Sequence, residues 1–355
     1  MSEAEVICRV DGVVGRLTLN RPRALGALNT PMVEAMTQAL LAWRHDPSVH
    51  IILLDHAGER GFCAGGDIRF LASSAAEGGA GARDFFFKEY RLNHLLMVYP
   101  KPIIAAMDGV TMGGGVGIAL PARWRVATER TRLAMPETGI GLFPDVGGGW
   151  HLSRLPGCVG VWLALTGARL DGADCLALGA ATHLVASERI DALKSEILAA
   201  PDSAEAILAA CAENPATPAP ITALQPLIDR LFVADRLETI LEDLAADDSD
   251  FARETLATLK TKSPLSMKTS LRQVTEGAAM ATFADEMRVE MRIGARIVMS
   301  HDFTEGVRAV IIDKDGAPRW DPQTPDGVTD AMLDAVFAPL PADQEWSPLP
   351  ELMEG

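Results

Sequence analysis

Residues 51–54 (IILL) and 103–107 (IIAAM) are apolar without alternation, and each is followed by a glycine turn and then a helical pattern. An apolar run that short is a strand buried on both faces, because a half-exposed strand would alternate polar and apolar residues. Strand, turn and helix in repetition predict an α/β layered core. The repeats are uneven in length, so a solenoid of fixed period is excluded. Around this motif, residues 6–10 and 13–20 read as a hairpin joined at Asp11-Gly12. Asn29 or Thr30 caps a helix that Asp46-Pro47 stops. Residues 68–71 suggest a short helix, 73–82 a small-residue mobile loop, and 83–99 a long amphipathic helix. Residues 124–128 and 182–185 read as further strands, with short helices over 147–155, 157–166 and 172–178. Pro201, Pro215, Pro218, Pro220 and Pro226 then mark a change to helical periodicity. The expected division is a core carrying the active site over residues 1–200 and a helical region over 201–355.

Two glycine turns carry the first sign of chemistry. One is GERGFCAGGD at 58–67; the other opens the stretch TMGGGVGIALPARWRVATERTRLAMPETGIGLFPD at 111–145. Glycine lets backbone N–H groups come close to a ligand, since no Cβ intervenes. One N–H from each turn would form a two-donor oxyanion hole. Glu137 and Asp145 follow, eight residues apart across Gly139, Gly141 and Pro144, so no regular helix holds both. A carboxyl group in an apolar cleft has a raised pKa and can serve as acid, base or nucleophile near neutrality.

Composition narrows the class. A net charge of −16 argues against a nucleic-acid binder. No apolar run approaches the ~20 residues of a membrane span. The acidic start lacks the pattern of a signal peptide, and the five cysteines are scattered without a C-x-x-C pair. Reduced thiols and a cytoplasmic location are the expectation. The seven histidines lack metal-site spacing, so no metal is expected. His94 and Cys63 read as packing residues, and Arg23 and Lys101 as candidate phosphate contacts.

The turns FCAGGDI at 62–68 and MGGGVG at 112–117, with LNRPRALGALN at 19–29, resemble the crotonase (enoyl-CoA hydratase/isomerase) superfamily. The block MPETGIGLFPDVGGG at 135–149 is similar to the 3-hydroxyisobutyryl-CoA hydrolase branch. So are FFFKEY at 85–90, SPLSMKTSLRQ at 263–273 and HDFTEGVRAVIIDKD at 301–315. The resemblance implies a crotonase-like spiral of ββα units followed by a helical C-terminal region. It implies oxyanion donors at Ala64 and Gly114, and catalytic carboxylates at Glu137 and Asp145. Glu89, Gly65, Gly66, Asp67 and Gly113 are the implied substrate-binding residues.

The implied reaction is hydrolysis of a short β-hydroxyacyl-CoA thioester, with CoA as part of the substrate and no separate cofactor. Glu137 would attack the carbonyl or deprotonate a water; Asp145 would orient the 3-hydroxyl or carry the proton to the leaving thiolate. Hydratases of the superfamily place a second glutamate at the position that is Gly117 here. Glycine there removes one group of a two-glutamate hydration and is expected to leave room beside the thioester. The alternatives are a one-carboxylate enoyl-CoA hydratase or isomerase, and a non-catalytic acyl-CoA-binding protein. The protein is expected to be either a monomer or a homo-oligomer (trimer or hexamer).

Overall fold

The computed structural model describes residues 4–352. It opens with the expected hairpin, β1 (Val6–Asp11) antiparallel to β2 (Val14–Leu19), and then α1 (Thr30–Arg44), capped by the Asn29 side chain. Three units of two strands each follow. The first is β3 (Ile51–His56) and β4 (Gly61–Cys63), followed by α2 (Ile68–Ala76) and α3 (Ala80–Met97). The second is β5 (Ile103–Met107) and β6 (Val110–Met112), followed by α4 (Gly114–Ala119). The third is β7 (Trp124–Ala127) and β8 (Arg132–Ala134), followed by the 3-10 turn Glu137–Ile140.

The first strand of each unit joins a six-stranded sheet of order β1-β2-β3-β5-β7-β9, where β9 is His183–Leu184. The second strand of each unit joins a three-stranded parallel sheet, β4-β6-β8. The chain therefore winds through both sheets once per unit, which is the ββα spiral of the crotonase fold. Side-chain period explains the unbroken apolar run in β3. Ile52 and Leu54 enter the main core, while Ile51 and Leu53 enter a second cluster with Ile190, Leu193 and Ile197.

Short helices α5 (Gly148–Leu152), α6 (Val159–Thr166) and α7 (Gly172–Ala177) precede β9. After it come α8 (Ile190–Ala199), α9 (Ala204–Cys211), α10 (Pro220–Leu231), α11 (Leu237–Ala246) and α12 (Asp250–Leu259). The last helices are α13 (Pro264–Gly277), α14 (Phe283–Ile297), α15 (His301–Val307) and α16 (Asp330–Phe337). Helix α14 packs along α3, and α13 along α5 and α6. Residues on both sides of position 200 enter the same core: Leu54, Phe85 and Phe86 with Met287, Met291 and Phe303.

The mobile loop expected over 73–82 is a correction. Helix α2 continues to Ala76 and α3 begins at Ala80, so residues 77–79 alone connect them. Alanine favours helix, and the small side chains let the two helices approach. The Ser74 hydroxyl accepts the Ala82 N–H at 2.8 Å, tying the end of α2 to the start of α3.

The two glycine turns meet through Gly115, where an added Cβ would stand 2.4 Å from the Cys63 carbonyl oxygen. Glycine to alanine inside a helix normally stabilises by ~1 kcal/mol. Gly115→Ala is expected to do the reverse, lowering unfolding free energy by ~1–3 kcal/mol through overpacking. Urea denaturation checks the sign.

Candidate active site

The three strands of the small sheet run parallel, with Cys63 beside Thr111 and Met112 beside Ala134. Their carboxyl ends therefore release three segments side by side: Ala64-Gly65-Gly66, Gly113-Gly114, and Met135-Pro136-Glu137. These segments line one cavity of about 410 Å³ together with Glu89 from α3 and Asp145. Gly65 has φ +107°, a conformation that side-chain-bearing residues rarely adopt. A Cβ built on it would lie 3.6 Å from the Gly114 nitrogen, so the two turns face each other closely.

The structure corrects the first oxyanion donor. The Ala64 N–H donates to the Leu25 carbonyl at 2.9 Å and cannot also serve a ligand. In the next peptide but one, the Gly65 carbonyl accepts the Leu28 N–H at 2.8 Å. Carbonyl and N–H of a trans peptide point in opposite directions. The Gly66 N–H is thus turned away from the Leu28 segment, and it has no acceptor among the described residues. The Gly114 N–H is a first-turn donor of α4 and is likewise free. Asp67 is a second correction. It does not line the cavity; its carboxylate caps α2 at Phe70 N–H and accepts from Arg21 at 3.2 Å.

The carboxylates are all buried, with Glu89 1 % exposed and Glu137 and Asp145 each 5 % exposed. Oε1 of Glu89 and Oε2 of Glu137 have no hydrogen-bond partner among the described residues. A Cβ on Gly114 would be 2.6 Å from Glu89 Oε1, and one on Gly113 would be 3.0 Å from Glu137 Oε1. Glycine at both positions is therefore what lets the acids reach the turn. Asp145 is not a helix cap, since Gly147 caps α5; its Oδ2 accepts the Tyr90 hydroxyl at 2.9 Å.

Burial pushes the Glu89 and Glu137 carboxyls well above the usual carboxylate range, and the nearby Asp145 charge pushes the same way. For Glu137 the ammonium of Lys262 opposes the rise. Burial also raises Asp145, to about 7, against the opposing hydrogen bond from Tyr90. Protons are thus available at this site near neutral pH.

Sequence reasoning missed Lys262 and Tyr90. Lys262 lines the cavity from the segment before α13, far along the chain and outside any glycine turn. Tyr90 was in a noted block, but only the packing of α3 shows its hydroxyl aimed at Asp145. Val310 and Pro318 close the cavity from the C-terminal region. Of the two phosphate candidates, Lys101 is committed to the Trp43 and Asp46 carbonyls at the end of α1. Cys63 is fully buried and outside the cavity, its thiol pushed up to about 12 by burial, which suits packing. His94 is likewise packed, against Phe283 and Trp346.

The room expected at Gly117 is not there. A Cβ on Gly117 would meet Val146 Cβ at 2.5 Å and Asn93 Nδ2 at 2.9 Å. No glutamate fits at this position.

A ββα spiral whose small sheet carries two glycine turns and a carboxylate at its strand ends defines a crotonase-type acyl-CoA enzyme. The chain belongs to the enoyl-CoA hydratase/isomerase family, whose model matches residues 14–337. It is 43 % identical over 345 residues to a mitochondrial 3-hydroxyisobutyryl-CoA hydrolase of Danio rerio, covering 95 % of this chain and 90 % of that one. The Homo sapiens protein of the same description is 41 % identical, with 95 % and 89 % covered. Among solved structures, a carnitinyl-CoA dehydratase from Mycobacterium thermoresistibile superposes with a TM-score of 0.92 at 42 % identity, covering 97 % of this chain and 98 % of that one. An enoyl-CoA hydratase from Rhodobacter sphaeroides gives 0.89 at 38 % identity, covering 97 % and 100 %. The cytoplasmic expectation is corrected by the Danio rerio and Homo sapiens hydrolases, which are described as mitochondrial. Reduced, scattered cysteines do not separate one reducing compartment from another.

Asp145 carries a pH signature. Its carboxyl stands at about 7 in the folded protein against 3.8 as its ordinary value. Between those values the folded state keeps a proton that the unfolded state has released, so stability falls as pH rises toward 7. Asp145→Asn removes that slope. Its stabilisation over the wild type is expected to be ~1–3 kcal/mol larger at pH 8 than at pH 5 in urea titrations. An equal difference at both pH values would mean that the Asp145 carboxyl is not raised.

Proposed function

We propose that this protein hydrolyses a short β-hydroxyacyl-CoA thioester, 3-hydroxyisobutyryl-CoA, to 3-hydroxyisobutyrate and CoA, as a step of valine breakdown. The observation that carries this reading is the pairing of Glu137, whose Oε2 has no hydrogen-bond partner among the described residues, with Gly66 and Gly114 N–H groups that likewise lack an acceptor there, in one cavity, while Val146 and Asn93 occupy the place of a second glutamate. The thioester oxygen sits between the two N–H groups. Glu137, whose rise from burial and the Asp145 charge is partly opposed by Lys262, adds in its ionised form to the carbonyl carbon. The resulting oxyanion is held by Gly66 and Gly114.

Collapse breaks the C–S bond, and protonated Asp145 gives its proton to the departing thiolate. Water then cleaves the mixed anhydride, returning a proton to Asp145 and the carboxylate to Glu137. Glu89, its carboxyl raised by burial and its Oε1 without a partner among the described residues, hydrogen-bonds the 3-hydroxyl of the acyl group. CoA enters as part of the substrate, and the sequence of steps calls on no separate cofactor.

The two solved relatives described as a dehydratase and a hydratase make hydration the competing reading. CoA thiol release from 3-hydroxyisobutyryl-CoA, run beside hydration of crotonyl-CoA, separates the two. Thiol release is expected to dominate and to fall ~10³-fold or more in Glu137→Gln. Hydration without thiol release would overturn the hydrolase assignment. Acid quench during turnover is expected to leave the acyl group on the Glu137 peptide by mass. Full turnover with no such adduct would make Glu137 a general base toward water.

A further inference from the structure

The Asp145 carboxylate hangs from a turn that its own residues do not favour. Val146 has φ +54° and Gly147 has φ +92°, so two successive residues are left-handed and one of them is β-branched. A β-branched residue in that region is held there by its surroundings. On one side the Val146 side chain fills the space beside Gly117. On the other side the turn is gripped by the helical C-terminal region. Gln273 of α13 donates its Nε2–H to the Pro144 carbonyl at 2.9 Å. The Gly147 N–H donates to both carboxylate oxygens of Glu290 on α14, at 2.8 and 3.1 Å. Gln273 Nε2 also donates to Glu290 Oε1 at 3.1 Å, which joins the two grips.

Glu290 and Gln273 are almost fully buried, and neither lines the cavity. A buried carboxylate next to a second one, Glu286, is an expensive way to fill space. Apolar packing would stabilise this junction better. What Glu290 supplies, and an apolar side chain could not, is an acceptor at one fixed point for the Gly147 N–H.

We propose that Glu290, with Gln273, is a positioning residue for Asp145: it fixes the 144–147 turn from outside the active site and thereby sets where the Asp145 carboxyl stands. The proposal rests on the hydrolase reading for the role of Asp145, and it gives the helical C-terminal region a part in the chemistry.

A double-mutant cycle tests it. Glu290→Ala, Glu290→Gln, Asp145→Asn and the Glu290→Ala/Asp145→Asn double variant are compared for thiol release and thermal unfolding. Glu290→Ala is expected to lower kcat ~10²-fold, the cost of a misplacement near 1 Å, with KM changed by less than about 3-fold. Glu290→Gln keeps an acceptor oxygen for Gly147 and is expected to restore kcat to within ~10-fold of the wild type. In the Asp145→Asn background, Glu290→Ala is expected to cost less than about 3-fold, because the group it positions is already lost. A folded Glu290→Ala enzyme with wild-type kcat overturns the proposal. So does a full ~10²-fold loss repeated in the Asp145→Asn background. Should Glu290→Ala fail to fold, Gln273→Met, which removes the grip on Pro144 and keeps volume, is carried through the same cycle with the same outcomes. A wild type that hydrates crotonyl-CoA without releasing thiol refutes the hydrolase reading alone; the cycle is then read on hydration.

Discussion

Everything at this site depends on how closely three strand ends can be brought together. The small sheet sets its neighbours one strand spacing apart, and the contact of Gly115 with the Cys63 carbonyl closes the remaining distance between the two glycine turns. The turns that carry the Gly66 and Gly114 N–H groups come close because no Cβ stands between them. Met112 and Ala134 are register partners across β6 and β8, so Glu137 leaves the sheet beside the same turn. The winding that splits each unit between two sheets is what makes this possible. Each second strand must end at the same edge of the small sheet, and whatever follows it is delivered to one place.

Delivering acids to an apolar place has an energetic cost, and the cost shows in carboxyls that all stand above their usual range. Glu89, Glu137 and Asp145 lose hydration to a similar degree. They differ in what replaces the water. Asp145 receives the Tyr90 hydroxyl and rises to about 7, whereas Glu89 Oε1 receives nothing among the described residues, and burial with the Asp145 charge holds its carboxyl well above the usual carboxylate range. Glu137 also stands well above that range, with the Lys262 ammonium opposing the rise. Three chemically similar groups are thus all raised by burial and distinguished by the neighbours each one meets.

Much of this was legible in the sequence where one residue type leaves a local mark. Unbroken apolar runs marked β3 and β5, whereas the three-residue strands β4 and β6 left no such mark, and their stretches stood out only for their glycines. Glu137 and Asp145 stood out because proline and glycine isolate them. Failures fall where the decisive partner is distant in the chain. Ala64 and Gly66 lie in the same turn and look equally free; Leu25, some forty residues earlier, takes the Ala64 N–H. Asp67 sits in the motif, yet serves the helix after it. Tyr90 and Lys262 join the site through packing of α3 and of the segment before α13. The loop reading of 73–82 failed for another reason: a scarcity of large side chains was taken as an absence of packing, whereas small ones allowed α2 and α3 to touch.

The absent glutamate at position 117 and the carboxylate at 145 are one structural choice. Val146 projects into the volume that a side chain at 117 would need, with Asn93 closing the other side. Val146 can do so only in its left-handed conformation, and that conformation turns the chain so that the preceding residue, Asp145, faces the cavity. A glutamate at 117 would have to displace Val146 from this turn, next to the Asp145 that accepts the Tyr90 hydroxyl. Glu89 and Glu137 both reach the glycine turn, and Asp145 shares their cavity from a turn whose shape Val146 and Gly147 fix.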